Sequence, residues 1–121
     1  MAGEVQANDF QQKVYNSIKS TVDKADQEVS DKQKEYEANQ KLLEYFTNLR
    51  NKAYNKMQSI KKTSNPDESE LQQAKVQYAN ADESYSNSYI DTDVSLWGLR
   101  SRMSYASKMN NSLTIANGML G

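Results

Sequence analysis

The chain of 121 residues contains neither cysteine nor histidine. Without cysteine there can be no disulfide, no thiolate nucleophile and no zinc–thiolate site. Without histidine the chain lacks the commonest metal ligand and the usual general base near neutral pH. The remaining Asp, Glu, Lys, Ser and Tyr residues form no known catalytic constellation. We therefore predict that the protein is not an enzyme and that it uses no cofactor or metal.

An excess of charge and a long apolar run are also missing. Fifteen Lys and Arg residues are balanced by sixteen Asp and Glu residues, for a net charge of −1, so no general attraction to nucleic acid is expected. No window reaches the roughly 18 apolar residues of a membrane span, and the first residues lack the pattern of a cleavable signal peptide. We expect no nucleic-acid partner, no membrane span and, for a secreted or cell-surface protein, export without a cleavable signal peptide. The alternative is a cytoplasmic protein.

Residues that break helices are rare. No glycine occurs between Gly3 and Gly98, and Pro66 is the single proline, whereas a sheet protein would need many turn residues. Alternating steps of four and three from Ile18 to Ile60 meet ten apolar residues in thirteen positions, as in a coiled coil. These positions, here called the α1 seam, are Ile18, Val22, Ala25, Val29, Lys32, Tyr36, Asn39, Leu43, Phe46, Arg50, Ala53, Met57 and Ile60. The chain is predicted to be all-α.

The proline lies in the stretch KKTSNPDE, near the midpoint of the chain. Lys61 and Lys62 suit the negative end of a helix dipole, whereas Asn65, Pro66 and Glu68 suit an N-cap, a first helical position and a capping box. Helix 1 is therefore predicted over about 9–62, the turn over 63–66 and helix 2 over about 67–117. The result is a single domain over 1–121, an elongated antiparallel helical hairpin or coiled coil.

Helix 2 has a less regular apolar pattern. Two successive steps of four, Ala81 to Tyr85 and Tyr85 to Tyr89, interrupt the heptad. The cluster 91–93 (Asp-Thr-Asp) is interpreted as helix caps rather than a cation site, because it lacks the glycine and distal glutamate of a calcium loop. Gly98 is a weak helix former. A kink or break is therefore predicted near residues 90–98.

More apolar surface is present than a two-helix hairpin can cover. Ala38, Leu42, Tyr45 and Leu49 form a second four-three-four row on helix 1, and residues 103–121 carry a single charge, Lys108. Trp97 is interpreted as a core residue, with the anchoring of a partner as the alternative. We expect the second row to meet either the C-terminal segment folded back or another copy. The predicted assembly interface comprises Leu42, Tyr45, Leu49, Trp97, Met103, Met109, Leu113, Ile115 and Leu120.

The stretch from Ser64 to Gln72, SNPDESELQ, together with Gln77 and Tyr78, resembles the turn of type III secretion needle and filament subunits. In that family two helices flank an Asn-Pro or Asp-Pro turn, and the C-terminal helix lies inside a helical polymer. The resemblance implies a structural subunit that self-assembles through helix packing into a bacterial secretion needle or filament, with an export chaperone as a further partner. The alternative is a cytosolic coiled-coil adaptor or export chaperone that binds one partner helix.

Overall fold

Two helices account for the part of the chain that the structure describes. The computed structural model describes residues 2–120, with side chains described for residues 9–119. Helix α1 comprises Ala2–Lys61 and helix α2 comprises Glu68–Leu120. The two helices pack against each other, and residues 2–120 include no strand, which confirms the predicted all-α hairpin. Helix α1 begins seven residues before the predicted start.

The predicted α1 seam is the covered face of this helix. Each of its thirteen positions is buried or half-buried. Val22, Ala25, Met57 and Ile60 are buried. The seam is covered because residues spaced by alternating fours and threes lie on one face of a helix and can meet a second helix together.

The chain divides into two packed units, and each unit contains part of both helices. One unit joins the segment up to Lys34 with the segment from Trp97 onward, and the other unit spans Glu35–Leu96 and contains the turn. Below they are called the terminal unit and the turn unit. In the terminal unit, Leu99, Ala106 and Ala116 of α2 are buried.

The core of the turn unit lies close to the turn. Met57 and Ile60 of α1 form a buried cluster with Ala74 of α2, and Leu71 and Tyr78 pack against it. Ala74 is only 1% exposed. An alanine at this position lets the two helices approach closely enough for the larger Met57 and Ile60 side chains to be covered.

The end of α1 is closed by hydrogen bonds of residues 62 and 63. The Lys62 amide donates to the Gln58 carbonyl at 3.1 Å. Both the amide and the hydroxyl of Thr63 donate to the Ile60 carbonyl, at 3.2 and 2.7 Å. These bonds satisfy carbonyls that the end of a helix would otherwise leave without a partner.

The start of α2 is capped by Asp67. Its carboxylate accepts hydrogen bonds from the amides of Ser69 at 2.9 Å and Glu70 at 3.3 Å. The prediction of Asn65 as the N-cap was therefore wrong by two residues, so that Pro66 precedes the cap and Glu68 is the first helical residue. A charged carboxylate at the positive end of the helix dipole provides a stronger acceptor than the asparagine amide.

The cap can be tested with a matched pair of alanine variants. Asp67→Ala should lower the free energy of unfolding by about 1 kcal/mol, because two amides lose their acceptor. Asn65→Ala should change it by less than about 0.5 kcal/mol, because Asn65 is exposed and lies outside the helix. Urea unfolding followed by circular dichroism measures both. A larger loss in the Asn65 variant would contradict this assignment.

Helix α2 runs without interruption through residues 90–98, so the predicted break was wrong. The hydroxyls of Thr92 and Ser95 donate to the carbonyls of Ser88 at 2.7 Å and Asp91 at 2.9 Å, one turn earlier in the same helix. They therefore do not cap a new helix, and neither does the rest of the cluster 91–93. A Cβ at Gly98 would meet the Lys32 side chain at 3.9 Å, an ordinary contact, so packing does not require glycine there.

The covered face of α2 differs from the predicted one at Tyr89. Tyr89 is exposed, whereas the neighbouring Ser88 is buried. With Ser88 in place of Tyr89, the heptad continues without the predicted stutter. The covered positions then alternate regularly by fours and threes: Ala74, Tyr78, Ala81, Tyr85, Ser88, Thr92, Ser95 and Leu99.

Candidate assembly surface

The second row of α1 lies on the surface of the turn unit. Leu42 is 50% exposed, Tyr45 is 61% exposed and Leu49 is 40% exposed. Ala38, at the start of the row, is exposed as well. Below, these four residues are called the α1 row. Neighbouring members of the row are three or four residues apart, so they form a continuous strip on one side of the covered seam.

Tyr45 is held in place by its neighbour in the chain. Its ring meets the Phe46 ring edge-on, with 5.3 Å between the ring centroids and 72° between the planes. Phe46 belongs to the α1 seam and is half-buried, so the Tyr45 ring rests on a side chain that packing already orients. Edge-to-face contacts of this kind are favourable beyond the area they bury. An anchored aromatic ring loses little freedom on binding and is a suitable contact residue.

Beside the α1 row lies a shallow groove of about 430 Å³ between the two helices of the turn unit. Its apolar floor includes Leu49 and Ala53 of α1 and Ala81 of α2. Lys56 crosses the groove and donates to the Gln77 side chain at 3.4 Å. The complete lining consists of Leu49, Lys52, Ala53, Lys56, Gln77, Asn80, Ala81 and Ser84.

Arg50 helps to set the rotation of α1 in the turn unit. It occupies a seam position, where its guanidinium carbon lies 3.8 Å from the centre of the Tyr85 ring of α2. One guanidinium nitrogen also lies 3.7 Å from a carboxylate oxygen of Asp82. Arginine favours this stacked arrangement because the aromatic face is electron-rich. Because Arg50 is directed at α2, the preceding residue Leu49 lies on the side of α1 next to the covered seam.

A polar layer in the turn unit sets the register of the helices. The Asn39 side chain donates to the Ser95 hydroxyl at 3.0 Å, and the Thr92 hydroxyl contacts the Asn39 carbonyl at 3.1 Å. Ser88, Thr92 and Ser95 are buried, and each buried side-chain polar atom of the described residues has a partner. Such a layer favours the one alignment that satisfies all of its groups. In this alignment the α1 row lies on the exposed flank of α1, beside the covered seam.

The structure separates the predicted interface residues into three groups. Six are exposed: Leu42, Tyr45, Leu49, Trp97, Met103 and Ile115. Met109 and Leu113 are half-buried. Leu120 lies outside the residues whose side chains are described.

Met109 and Leu113 belong to the packing of the terminal unit rather than to a free surface. Met109 lies three residues after Ala106 and Leu113 lies three residues before Ala116, and both alanines are buried. The C-terminal segment is the continuation of α2 and packs in the unit formed with the start of α1, as the hydrogen bond from the Asn110 side chain to Asp26 at 3.4 Å illustrates. Of the two alternatives for covering the α1 row, the C-terminal segment folded back as a third helix was therefore wrong.

Trp97 lies on the surface of the terminal unit, with 65% of its area exposed. The interpretation of Trp97 as a core residue was therefore wrong, since the covered positions beside it are Ser95 and Leu99. Its role as an anchor for a partner stays a prediction.

Sequence reasoning did not single out two charged residues that extend the α1 row. Glu35 precedes Ala38 by three residues and Lys52 follows Leu49 by three, and both are exposed. The sequence signal for both residues is that they continue the four-three spacing of the α1 row. They differ from the members of the row in being charged rather than apolar. Charged residues at the ends of an apolar row commonly determine which partner it accepts.

In the described part of the chain, no group of three or more Asp and Glu residues is placed to hold a metal ion, and neither helix has a stretch apolar enough to cross a membrane. No protein-family model, curated protein or solved structure matches the chain.

Proposed function

We propose that the protein is a non-enzymatic structural subunit that self-assembles through helix packing, with the α1 row as one of its contact surfaces. The proposed assembly is a needle or filament of a bacterial secretion system, as the resemblance at the Asn-Pro turn implies. Secretion or a location at the cell surface is part of the same proposal.

The observation that carries the proposal is the exposure of Leu42, Tyr45 and Leu49 in one continuous strip. Single exposed apolar residues are common, but an aligned apolar strip on a small protein marks a contact surface. Covering it gains about 25 cal/mol for each Å² of apolar area removed from water. The chain supplies no third helix within residues 2–120 to cover it. A second copy supplies a matching helix.

A polymer needs a second contact surface, because a single two-fold contact closes after two subunits. The terminal unit offers one. Phe10 and Val14 of α1, together with Ala116 and Met119 of α2, line a small apolar depression of about 90 Å³. Phe10 and Met119 are both largely exposed. Contacts at this depression and at the α1 row would together extend the assembly beyond a dimer.

The proposal is tested by the double variant Leu42→Gln with Leu49→Gln. Both side chains are largely outside the core, so the fold should persist. Loss of apolar burial at two leucines in each subunit should raise the dissociation constant for self-association at least about 100-fold. Sedimentation velocity over a concentration series measures this change, and electron microscopy shows whether fibres of the unsubstituted chain disappear.

A matched control uses two exposed apolar residues on α2 of the same unit, Val76→Gln with Ile90→Gln. This control should sediment like the unsubstituted chain. Association that persists in the α1 variant but is lost in the control would contradict the α1 row as a contact surface. A chain that stays monomeric at all concentrations would contradict self-assembly itself.

The alternative function, an adaptor or export chaperone that binds one partner helix, is favoured by the groove beside Leu49, because apolar grooves are a common binding site for amphipathic helices. In that case the chain should remain a small oligomer and form a one-to-one complex with a client helix. Mass measurement of the purified complex by light scattering distinguishes this result from a polymer.

A further inference from the structure

We infer that two copies pair through the α1 row in one antiparallel register, with the two-fold axis between Leu42 and Tyr45. This inference rests on the proposed function, since it specifies how the α1 row meets a second copy. The row together with its charged ends forms six exposed positions, spaced by threes and fours, on the α1 part of the turn unit. They are Glu35, Ala38, Leu42, Tyr45, Leu49 and Lys52.

Antiparallel pairing places complementary side chains opposite each other in every layer. One alignment of the two copies is defined by opposing residues whose numbers add up to 87. In this alignment Leu42 faces Tyr45 of the second copy, and Ala38 faces Leu49. Glu35 faces Lys52 at each end. The two-fold axis repeats each pair, so the interface contains two opposite-charge pairs, each of Glu35 with Lys52. It also contains two pairs in which the small Ala38 faces the larger Leu49.

Neighbouring registers lose this match. A shift of one heptad in one direction places Leu42 opposite Lys52 and Ala38 opposite Lys56, which brings lysines directly against apolar side chains. A shift in the other direction places Tyr45 opposite Glu35. In both cases a charged side chain lies directly opposite an apolar or aromatic one and is desolvated there. The register with the sum of 87 is therefore the favoured antiparallel alignment.

Parallel pairing is disfavoured by the same residues. In a parallel pair with equal register, each residue faces its own copy, so that Glu35 meets Glu35 and Lys52 meets Lys52. Like charges placed opposite each other at an interface cost affinity and select against that arrangement. The charge pattern of the row therefore favours the antiparallel orientation.

Both charged residues at the ends of the row are exposed. Lys52 is exposed at the edge of the groove. Glu35 is also exposed and already has an interaction within its own chain. A carboxylate has two oxygens and about four acceptor sites, so it can accept a second donor from another copy.

Charge reversal on the full chain tests the register. At low ionic strength, Lys52→Glu or Glu35→Lys should each raise the dissociation constant of the dimer about tenfold, because two opposite-charge pairs become like-charge pairs. The double variant carrying both reversals should return to within about threefold of the unsubstituted chain, since the pairs are restored with exchanged signs. Sedimentation equilibrium measures all three.

The matched control reverses Lys41 and Glu44, which are exposed on the same stretch of α1 but outside the row. Lys41→Glu, Glu44→Lys and their combination should leave the dissociation constant within about threefold. The inference is overturned when the single reversals in the row behave like these controls, or when the double variant dimerises more weakly than either single variant.

Cross-linking provides a second measurement, because the chain contains no cysteine. A mixture of Ala38→Cys and Leu49→Cys chains should form a mixed disulfide dimer faster than either chain forms a dimer alone. Equal rates in all three samples would contradict the register. If Leu42→Gln with Leu49→Gln abolishes association while charge reversal and cross-linking give negative results, the proposed function stands and this register fails.

Discussion

Replacement of Ile60 by alanine is expected to lower the free energy of unfolding by about 2–4 kcal/mol. Ile60 is buried with Met57 against Ala74, next to the turn that joins the helices. Alanine removes apolar atoms from this cluster and leaves a cavity that an alanine on the opposite helix cannot fill. Because domain stabilities are commonly about 5–15 kcal/mol, the loss should be easily measured by urea unfolding.

Ile90→Ala is the matched control, since it deletes the same atoms from an exposed position of the same unit. Its free energy of unfolding should change by less than about 0.5 kcal/mol. Amide hydrogen exchange adds local information, because Ile60→Ala should accelerate exchange around Met57 and Ala74. Equal destabilisation by the two substitutions would show that the cluster near the turn does not hold the helices together.

Replacement of Ala74 by aspartate is expected to destabilise the protein by more than about 4 kcal/mol. Ala74 is 1% exposed and lies between the large apolar residues of the cluster. An aspartate there would be too large for the space and would place a carboxylate among groups that cannot hydrogen-bond to it. We expect loss of helix packing in the turn unit, measured as a lower denaturation midpoint and as faster amide exchange.

Ala79→Asp serves as its control, because Ala79 is exposed on the same helix. The expected loss is about 0.7 kcal/mol, which reflects only the lower helix propensity of aspartate. A small effect at Ala74, comparable to that at Ala79, would mean that the helices do not approach each other at this position.

Substitutions in the core and on the surface should affect self-association in different ways. Ile60→Ala acts on the fold, so its effect on self-association should follow its effect on stability. Leu42→Gln with Leu49→Gln acts on exposed side chains and should weaken association without a matching loss of stability. A parallel loss of both properties in the surface variant would indicate that these leucines support the hairpin itself.

The covered face of α1 from Ile18 to Ile60 could be predicted from the sequence. Its apolar residues recur with the spacing of a coiled coil over more than forty residues, and such a long pattern tolerates polar exceptions such as Lys32, Asn39 and Arg50. The α1 row was also predicted from residue spacing. A second apolar stripe on the same helix must point in a different direction from the covered seam. Leu42, Tyr45 and Leu49 are indeed exposed.

The covered face of α2 could not be predicted with the same success. Hydrophobicity favoured Tyr89 over Ser88, yet Ser88 is buried and Tyr89 is exposed. The choice depends on packing across the helix pair, where small residues allow close approach and a tyrosine ring would hold the helices apart. Likewise, Thr92 in the cluster 91–93 resembled a cap, but its hydroxyl donates to the Ser88 carbonyl within a continuous helix.

Local properties of the chain were therefore sufficient to specify two helices, the turn near Pro66, and one apolar face along α1. They also excluded cysteine and histidine chemistry. The cap at Asp67, the buried serines of α2 and the exposure of Trp97 became known only from the packed helices. The reason is that periodicity defines a face along one helix, whereas the rotation of a helix against its neighbour depends on side-chain size and hydrogen bonding across the pair.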